Sequence, residues 1–250
     1  MAQTQEVQKA TEPALDMRKA LDDGMVRNQN QFMAALGGDP LKIERWKTLL
    51  MMEVNRNPSL MECEPGSLVA SALEAAQLGL EFGPKAHAYL VPYKEKGTGK
   101  KMCKLMPGYR GMIYAAKQSG ETKELRAEAV YEKDAFEYEL GLKKDLSHKP
   151  AKGNRGALIA VYAVVDFTAG GQDFEVMDKE QIEAVRKRSA SDDGPWKTDY
   201  AEMAKKSAIR KISKRLDMGE KVAAIVQYDN TQYEVVDTTP KMLMPTEVTA

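Results

Sequence analysis

Between Met203 and Arg215 the chain reads MAKKSAIRKISKR, with six bases and no acid. Lys205, Lys206, Arg210, Lys211, Lys214 and Arg215 supply the charge. The whole chain balances 37 Lys and Arg against 37 Asp and Glu, so the cluster is placement rather than composition. It asks for an anion whose charges are spread along a line, which describes a nucleic acid backbone. A second concentration lies at 94–117, where seven bases accompany one acid, Glu95. From Lys85 to Arg215 there are 27 bases and 19 acids, a net +8 that acidic ends cancel.

The segment Gly108-Tyr109-Arg110-Gly111-Met112-Ile113 joins a strand-like stretch to a helix-like one. Its glycines permit close backbone approach, which a phosphate backbone would use. At helical spacing Arg110, Tyr114 and Lys117 share one face, and bases interleaved with an aromatic suit a strand whose bases stack. Tyr89 and Tyr93 alternate with His87 and face one side of a strand. At about 100° per residue, Ala208, Ile209, Ile212 and Leu216 form an apolar side. Lys206, Arg210 and Lys214 form an outward row, extended by Lys211 and Arg215. Lys205 falls inside the apolar arc, so it snorkels, pairs with an acid or lines a groove. Glu202 reads as a helix-dipole residue, and Trp196 as packing.

The elements that must position these residues are mixed. Helical periods occupy Leu41–Arg56 and Leu68–Leu78, with a polar, weakly helical segment before them. His87–Tyr93 and Lys101–Leu105 read as paired strands around the turn EKGTGK, followed by a helix from Gly108 to Ser119. Alternation returns at Glu124–Tyr131 and Phe136–Leu140. A loop is expected from Lys143 to Arg155, then a strand at Leu158–Phe167 that turns through Gly170-Gly171 into Asp173–Met177. Asp178 opens a helix, with Gln181 completing a capping box. A last helix runs from Thr198 to Leu216. This is an α+β chain with two antiparallel hairpins around a helix, a basic groove between sheet and C-terminal helix, and no βαβ repeat. The division expected is an N-terminal helical segment for self-association at 1–40, a DNA-binding core at 41–226 and a flexible tail at 227–250. Residues 1–56 are the expected subunit contacts, and a chain lacking 1–38 is expected to stay soluble but assemble poorly.

Several classes are disfavoured. No GxxxxGK[ST] loop is present, so ATP-driven chemistry is not expected. Cys63 and Cys103 have no CxxC or Cys/His zinc spacing. No local Ser/His/Asp set stands out, and neither a cofactor nor an enzymatic activity is expected. No apolar run approaches the roughly 18 residues of a membrane span, no signal peptide is visible, and a reducing cytoplasm is expected.

Taken together, His87-Ala88-Tyr89-Leu90 with Pro92, the GYRGMI block, Ser119-Gly120, Phe174-Glu175-Val176-Met177, Gln181-Ile182-Glu183, Gly194-Pro195-Trp196 and Glu202–Lys206 with Ala208-Ile209-Arg210 resemble the RecT family of phage single-strand annealing proteins. These motifs span about residues 60–217. The resemblance implies ATP-independent annealing of complementary strands and assembly into rings or helical filaments. The implied partners are single-stranded and annealed duplex DNA, a 5′→3′ exonuclease and a host single-strand-binding protein, in a bacterial cytoplasm. The expected DNA contacts are Tyr89, Lys101, Tyr109, Arg110, Lys117, Lys205, Lys206, Arg210, Lys211, Lys214 and Arg215. A general single-strand or RNA-binding module remains the alternative, with a metal nuclease and a structural phage protein behind it.

Overall fold

The computed structural model describes residues 2–95, 97–188 and 194–234, with side chains placed between 15 and 231. Asp192, Asp193 and the expected tail beyond 234 lie outside the described residues.

Five helices come first: α1 (Ala2–Arg27), α2 (Gln29–Ala35), α3 (Pro40–Arg56), α4 (Pro58–Met61) and α5 (Pro65–Gln77). Their starts follow from the sequence. Asp39 caps α3 by accepting from Leu41 N at 2.9 Å, and Asn57 caps α4 from Ser59 N at 3.1 Å. Pro40, Pro58 and Pro65 each sit where a missing N–H costs nothing. The apolar stripe of α3, from Ile43 through Trp46, Leu49, Leu50 and Val54, is buried as its spacing requires.

The expected boundary at residue 40 is not a packing boundary. Met17, Leu21, Met25 and Phe32 of α1 and α2 are buried in the same core as α3 and α5. Removing residues 1–38 would therefore strip the face of α5 that they cover. A soluble, intact remainder is not what this packing supports.

The β1 (Ala88–Lys94) and β2 (Lys101–Pro107) hairpin lies on α5. Cys103 is tied there on both sides, donating its N–H to Ser67 Oγ at 2.9 Å and accepting from Ser71 Oγ at 3.3 Å. Helix α6 (Tyr109–Gln118) follows, then β3 (Thr122–Tyr131), β4 (Ala135–Glu139), β5 (Asp145–Lys149), β6 (Leu158–Phe167) and β7 (Gln172–Asp178). β3, β6 and β7 form an antiparallel sheet in the order β3-β6-β7. The central strand β6 is buried on both faces, which explains its near-continuous apolar sequence. Val161, Ala163 and Val165 face the main core. Ala160, Tyr162 and Val164 face a smaller one, shared with Phe174 and with Phe136 and Leu146 of the β4–β5 pair.

That second layer corrects the loop expected from Lys143 to Arg155. β3 pairs with β6, and β4 pairs with β5 inside the stretch read as a loop. Asp145–Lys149 is too polar to announce itself as a strand. Asp134, with its side chain fully buried, holds it in place. Its carboxylate accepts from Tyr131 N, Ala151 N and Arg155 Nε and bonds His148 Nε2 at 3.1 Å, while His148 Nδ1 meets Tyr162 Oη at 3.1 Å.

The chain ends in α7 (Lys179–Arg186), α8 (Pro195–Thr198), α9 (Tyr200–Arg215) and α10 (Glu220–Glu234). Asp178 caps α7 through Gln181 N at 2.8 Å, but the Gln181 side chain accepts from Lys211 Nζ, so the reciprocal half of the capping box is absent. Trp196 is buried edge-on against Tyr200 at 5.7 Å, as packing predicts. α9 crosses the face of the sheet opposite β4–β5, and α10 lies over α9 and α6. Ordered helix thus continues past Gln227, where a tail was expected. Val222, Ile225 and Val226 bury its inner face. Among the described residues no helix is long and apolar enough to cross a membrane.

Candidate nucleic-acid interface

The entry to α6 is set by a kink in the chain before β1. Ala86 adopts φ 52°, and the His87 carbonyl is turned to accept from Gly108 N at 2.9 Å. α6 then passes so close to that carbonyl that a Cβ on Gly111 would stand 2.3 Å from His87 O. A Cβ on Gly108 would stand 3.0 Å from the Tyr89 ring. These glycines therefore serve the protein's own backbone. The expectation that they admit a phosphate backbone is corrected for Gly111, which is buried against β1.

This close approach places the first turn of α6 beside Tyr89, which is half exposed. Across from it stands the first turn of α9. Burial, and after it the nearby Glu202 carboxylate, push the Tyr109 pKa up to about 12. Lys205 pairs with Glu202 at 3.1 Å and lies 5.9 Å from the centre of the Tyr109 ring. Tyr89 is also raised, chiefly by burial, and the charges of Arg110, Glu202 and Asp199 all reach it. Four expected residues therefore converge: Tyr89, Tyr109, Arg110 and Lys205. Of the three readings for Lys205, pairing with an acid is the one its Glu202 contact bears out.

Two acids complete this cluster and were not anticipated there, Glu202 and Asp199, whose charges both reach Tyr89. Glu202 does more than face a helix dipole, since it pairs with Lys205 and its charge reaches Tyr109. Its spacing carried the signal: it stands three residues before Lys205, at hydrogen-bonding reach on one helix face. Arg110 is exposed and makes no ion pair among the described residues.

The other expected bases are dispersed. Lys101 pairs with Glu62 at the opposite end of the hairpin from Gly108. Lys117 is exposed at the end of α6. The expected outward row on α9 faces outward only at Lys214. Lys206 is 3% exposed and bonds Asp229 of α10 at 2.6 Å, and Arg210 reaches the same carboxylate at 3.3 Å. Burial lowers the Lys206 pKa, while Asp229 pulls it back up. Lys206 and Arg210 look solvent-facing from α9 alone and are covered because a second helix lies on them. Lys211 and Arg215 turn the other way, onto β7. Lys211 pairs with Glu175 at 2.8 Å and Arg215 with Asp173 at 2.7 Å. Lys214 is exposed and, with Arg188, Arg210 and Lys211, borders a cavity of about 430 Å³ between α7 and α9, floored by Met177 and Val185.

The β7 ion pairs predict acid sensitivity. Burial acts to raise Asp173, but hydrogen bonds from Arg215, Lys144 and Phe174 N outweigh it and bring its pKa down to about 2. A carboxyl depressed in the folded state contributes stability above its unfolded value near 3.9, and that contribution drains as pH falls toward 2. Thermal unfolding of Asp173→Asn followed from pH 5 to pH 2 is therefore expected to show a shallower loss of Tm than the parent chain. Parallel curves would contradict the assignment.

Comparison with known proteins supplies the context for this geometry. The model of the RecT family matches residues 44–241, extending past the motifs at both ends. Protein RecT of Escherichia coli is 40% identical over 198 residues, covering 78% of this chain and 74% of its own length. Uncharacterized protein YqaK of Bacillus subtilis is 25% identical over 224 residues, covering 84% of this chain and 76% of its own. With most of its length matched, including both α6 and α9, the chain belongs to the RecT family of phage-type recombination proteins.

Proposed function

We propose that the chain binds single-stranded DNA between the first turns of α6 and α9 and promotes its pairing with a complementary strand, without nucleotide hydrolysis. The convergence of Tyr89, Tyr109, Arg110 and Lys205 is the observation that carries this reading. Tyrosine faces offer stacking or sugar contact, and Arg110 and Lys205 offer charge to phosphates. The neighbouring Glu202 and Asp199 hold these groups in place and limit how tightly the backbone is gripped. A moderate grip suits annealing: phosphate charge is screened, while base edges stay free to pair and supply the sequence recognition. The work is noncovalent.

Lys117 and Lys214, both exposed, extend the basic surface beyond the cluster. Lys206 and Arg210 act in this reading through α10, not by touching DNA. Self-association accompanies binding, and the exposed Leu15, Val26 and Leu41 on α1 and α3 offer apolar contact for it. A 5′→3′ exonuclease supplies the strand, and a host single-strand-binding protein competes for it in the bacterial cytoplasm.

A stopped-flow assay with two complementary labelled oligonucleotides tests the proposal. The protein is expected to accelerate pairing; slowed pairing would leave only a coating protein. Arg110→Glu is expected to weaken binding to every sequence alike and to flatten the slope of log K against log salt by ~0.7, the share of one phosphate on a single strand. An unchanged slope removes Arg110 from the site.

A further inference from the structure

A second cavity, of about 370 Å³, opens one helical turn along α6 from Arg110. It is lined by Lys42, Trp46, Glu81, Lys85, His87 and Tyr114. His87 is 9% exposed, and its Nδ1 is buried with no hydrogen-bond partner. A buried ring nitrogen left unpaired carries a desolvation cost, so it calls for an explanation. The His87 ring stacks on Tyr114 at 4.4 Å with 21° between the planes. Tyr114 is itself 38% exposed, so one side is backed by His87 while part of its surface stays open. Glu81 is already met by Arg45 at 2.6 Å and Lys85 at 3.0 Å, so the rim carries net positive charge.

We propose that this cavity receives one nucleobase of the bound strand, stacked on Tyr114, with its flanking phosphates at Lys42 and Lys85 and its edge within reach of His87. This rests on the reading that DNA lies along α6. Arg110 and Tyr114 are four residues apart, about 6 Å along the helix axis. A strand whose backbone is held at Arg110 therefore passes the mouth of the cavity one helical turn further on, where one base can turn out of the strand onto Tyr114. The His87 ring, held neutral by burial and nearby cations, has one nitrogen to donate and one to accept, which suits any base edge. Stacking of this kind is indifferent to sequence, as annealing requires.

The test compares a thymidine oligonucleotide with an abasic one of equal length and charge, bound to the full chain. Tyr114→Ala is expected to weaken the thymidine oligonucleotide about tenfold, the range of one lost base stack, and to leave the abasic one unchanged. Tyr114→Phe is expected to restore binding. Photocrosslinking of a 5-bromodeoxyuridine oligonucleotide is expected to label the peptide containing Tyr114. Equal affinity of Tyr114→Ala and the parent for the thymidine oligonucleotide, or crosslinks confined to other peptides, overturns the proposal. So does a Tyr114→Ala protein that loses self-association without DNA, since the cavity would then hold a neighbouring copy. Arg110→Glu keeps the two readings apart. If it weakens both oligonucleotides while Tyr114→Ala weakens neither, the α6–α9 site stands and the cavity fails. If it weakens neither, the site itself fails.

Discussion

Asp229→Ala is expected to lower folding stability by about 3–5 kcal/mol, the cost of leaving a buried charge uncompensated. Lys206 is 3% exposed, and its ammonium has Asp229 at 2.6 Å. Arg210 leans on the same carboxylate, and the charge of Asp229 also reaches Lys104 of β2. Removing the acid would leave the buried Lys206 ammonium with no counter-charge among the described residues. The double variant Lys206→Met/Asp229→Leu removes both charges at similar volume and is expected to be near neutral or stabilising. Urea unfolding of both proteins decides it, and a loss below about 1 kcal/mol for Asp229→Ala would show that Lys206 finds water or another acid. The pair of variants also separates structure from DNA binding. If Lys206 serves only α10, the double variant keeps its DNA affinity. If it loses affinity while keeping its stability, Lys206 reaches DNA after all.

This latch marks where the sequence was legible and where it was not. Local chemistry was legible wherever one element decides its own state: Asp178 capping α7, Gly79 at φ 67° ending the α5 region, and the ten-residue run of β6. The convergence of Tyr109 with Lys205 was legible in part, because Lys205 broke the apolar arc of α9 and had to meet something. The fate of Lys206 was not. Facial analysis assumes one buried side per helix, and α9 has two, one on the sheet and one under α10. The missing clue lay in α10 itself, where Val222, Ile225, Val226 and Asp229 follow one helical stripe. An acid continuing an apolar stripe asks for a buried base, and only the contact shows which base answers. The β4–β5 pair failed for a related reason: its order comes from Asp134, Arg155 and Tyr162, which are distant in sequence and carry no strand signal.

Gly111→Ala is expected to destabilise the fold by about 1–3 kcal/mol and to weaken DNA binding, although Gly111 itself is buried. Two effects oppose each other. Alanine favours a helix over glycine by about 1 kcal/mol. Against that, its Cβ would stand 2.3 Å from His87 O and 2.9 Å from Leu80 Cδ2. The Leu80 contact can relax by rotation; the carbonyl cannot, because Gly108 N holds it from one side and β1 begins immediately after it. α6 must therefore shift away from β1. Its first turn carries Tyr109 and Arg110, so the shift separates both from Tyr89 and from Glu202 and Lys205 on α9. Gly108→Ala is the informative contrast, because its Cβ would meet the Tyr89 ring at 3.0 Å, with backbone oxygens no nearer than 3.2 Å. The ring can swing, so stability should suffer less while the contact to DNA proposed for Tyr89 is lost. Chemical denaturation and oligonucleotide titration of the two variants should separate these effects. A Gly111→Ala protein as stable as its parent, with unchanged DNA affinity, would mean that the position of α6 against the His87 carbonyl does not govern the site.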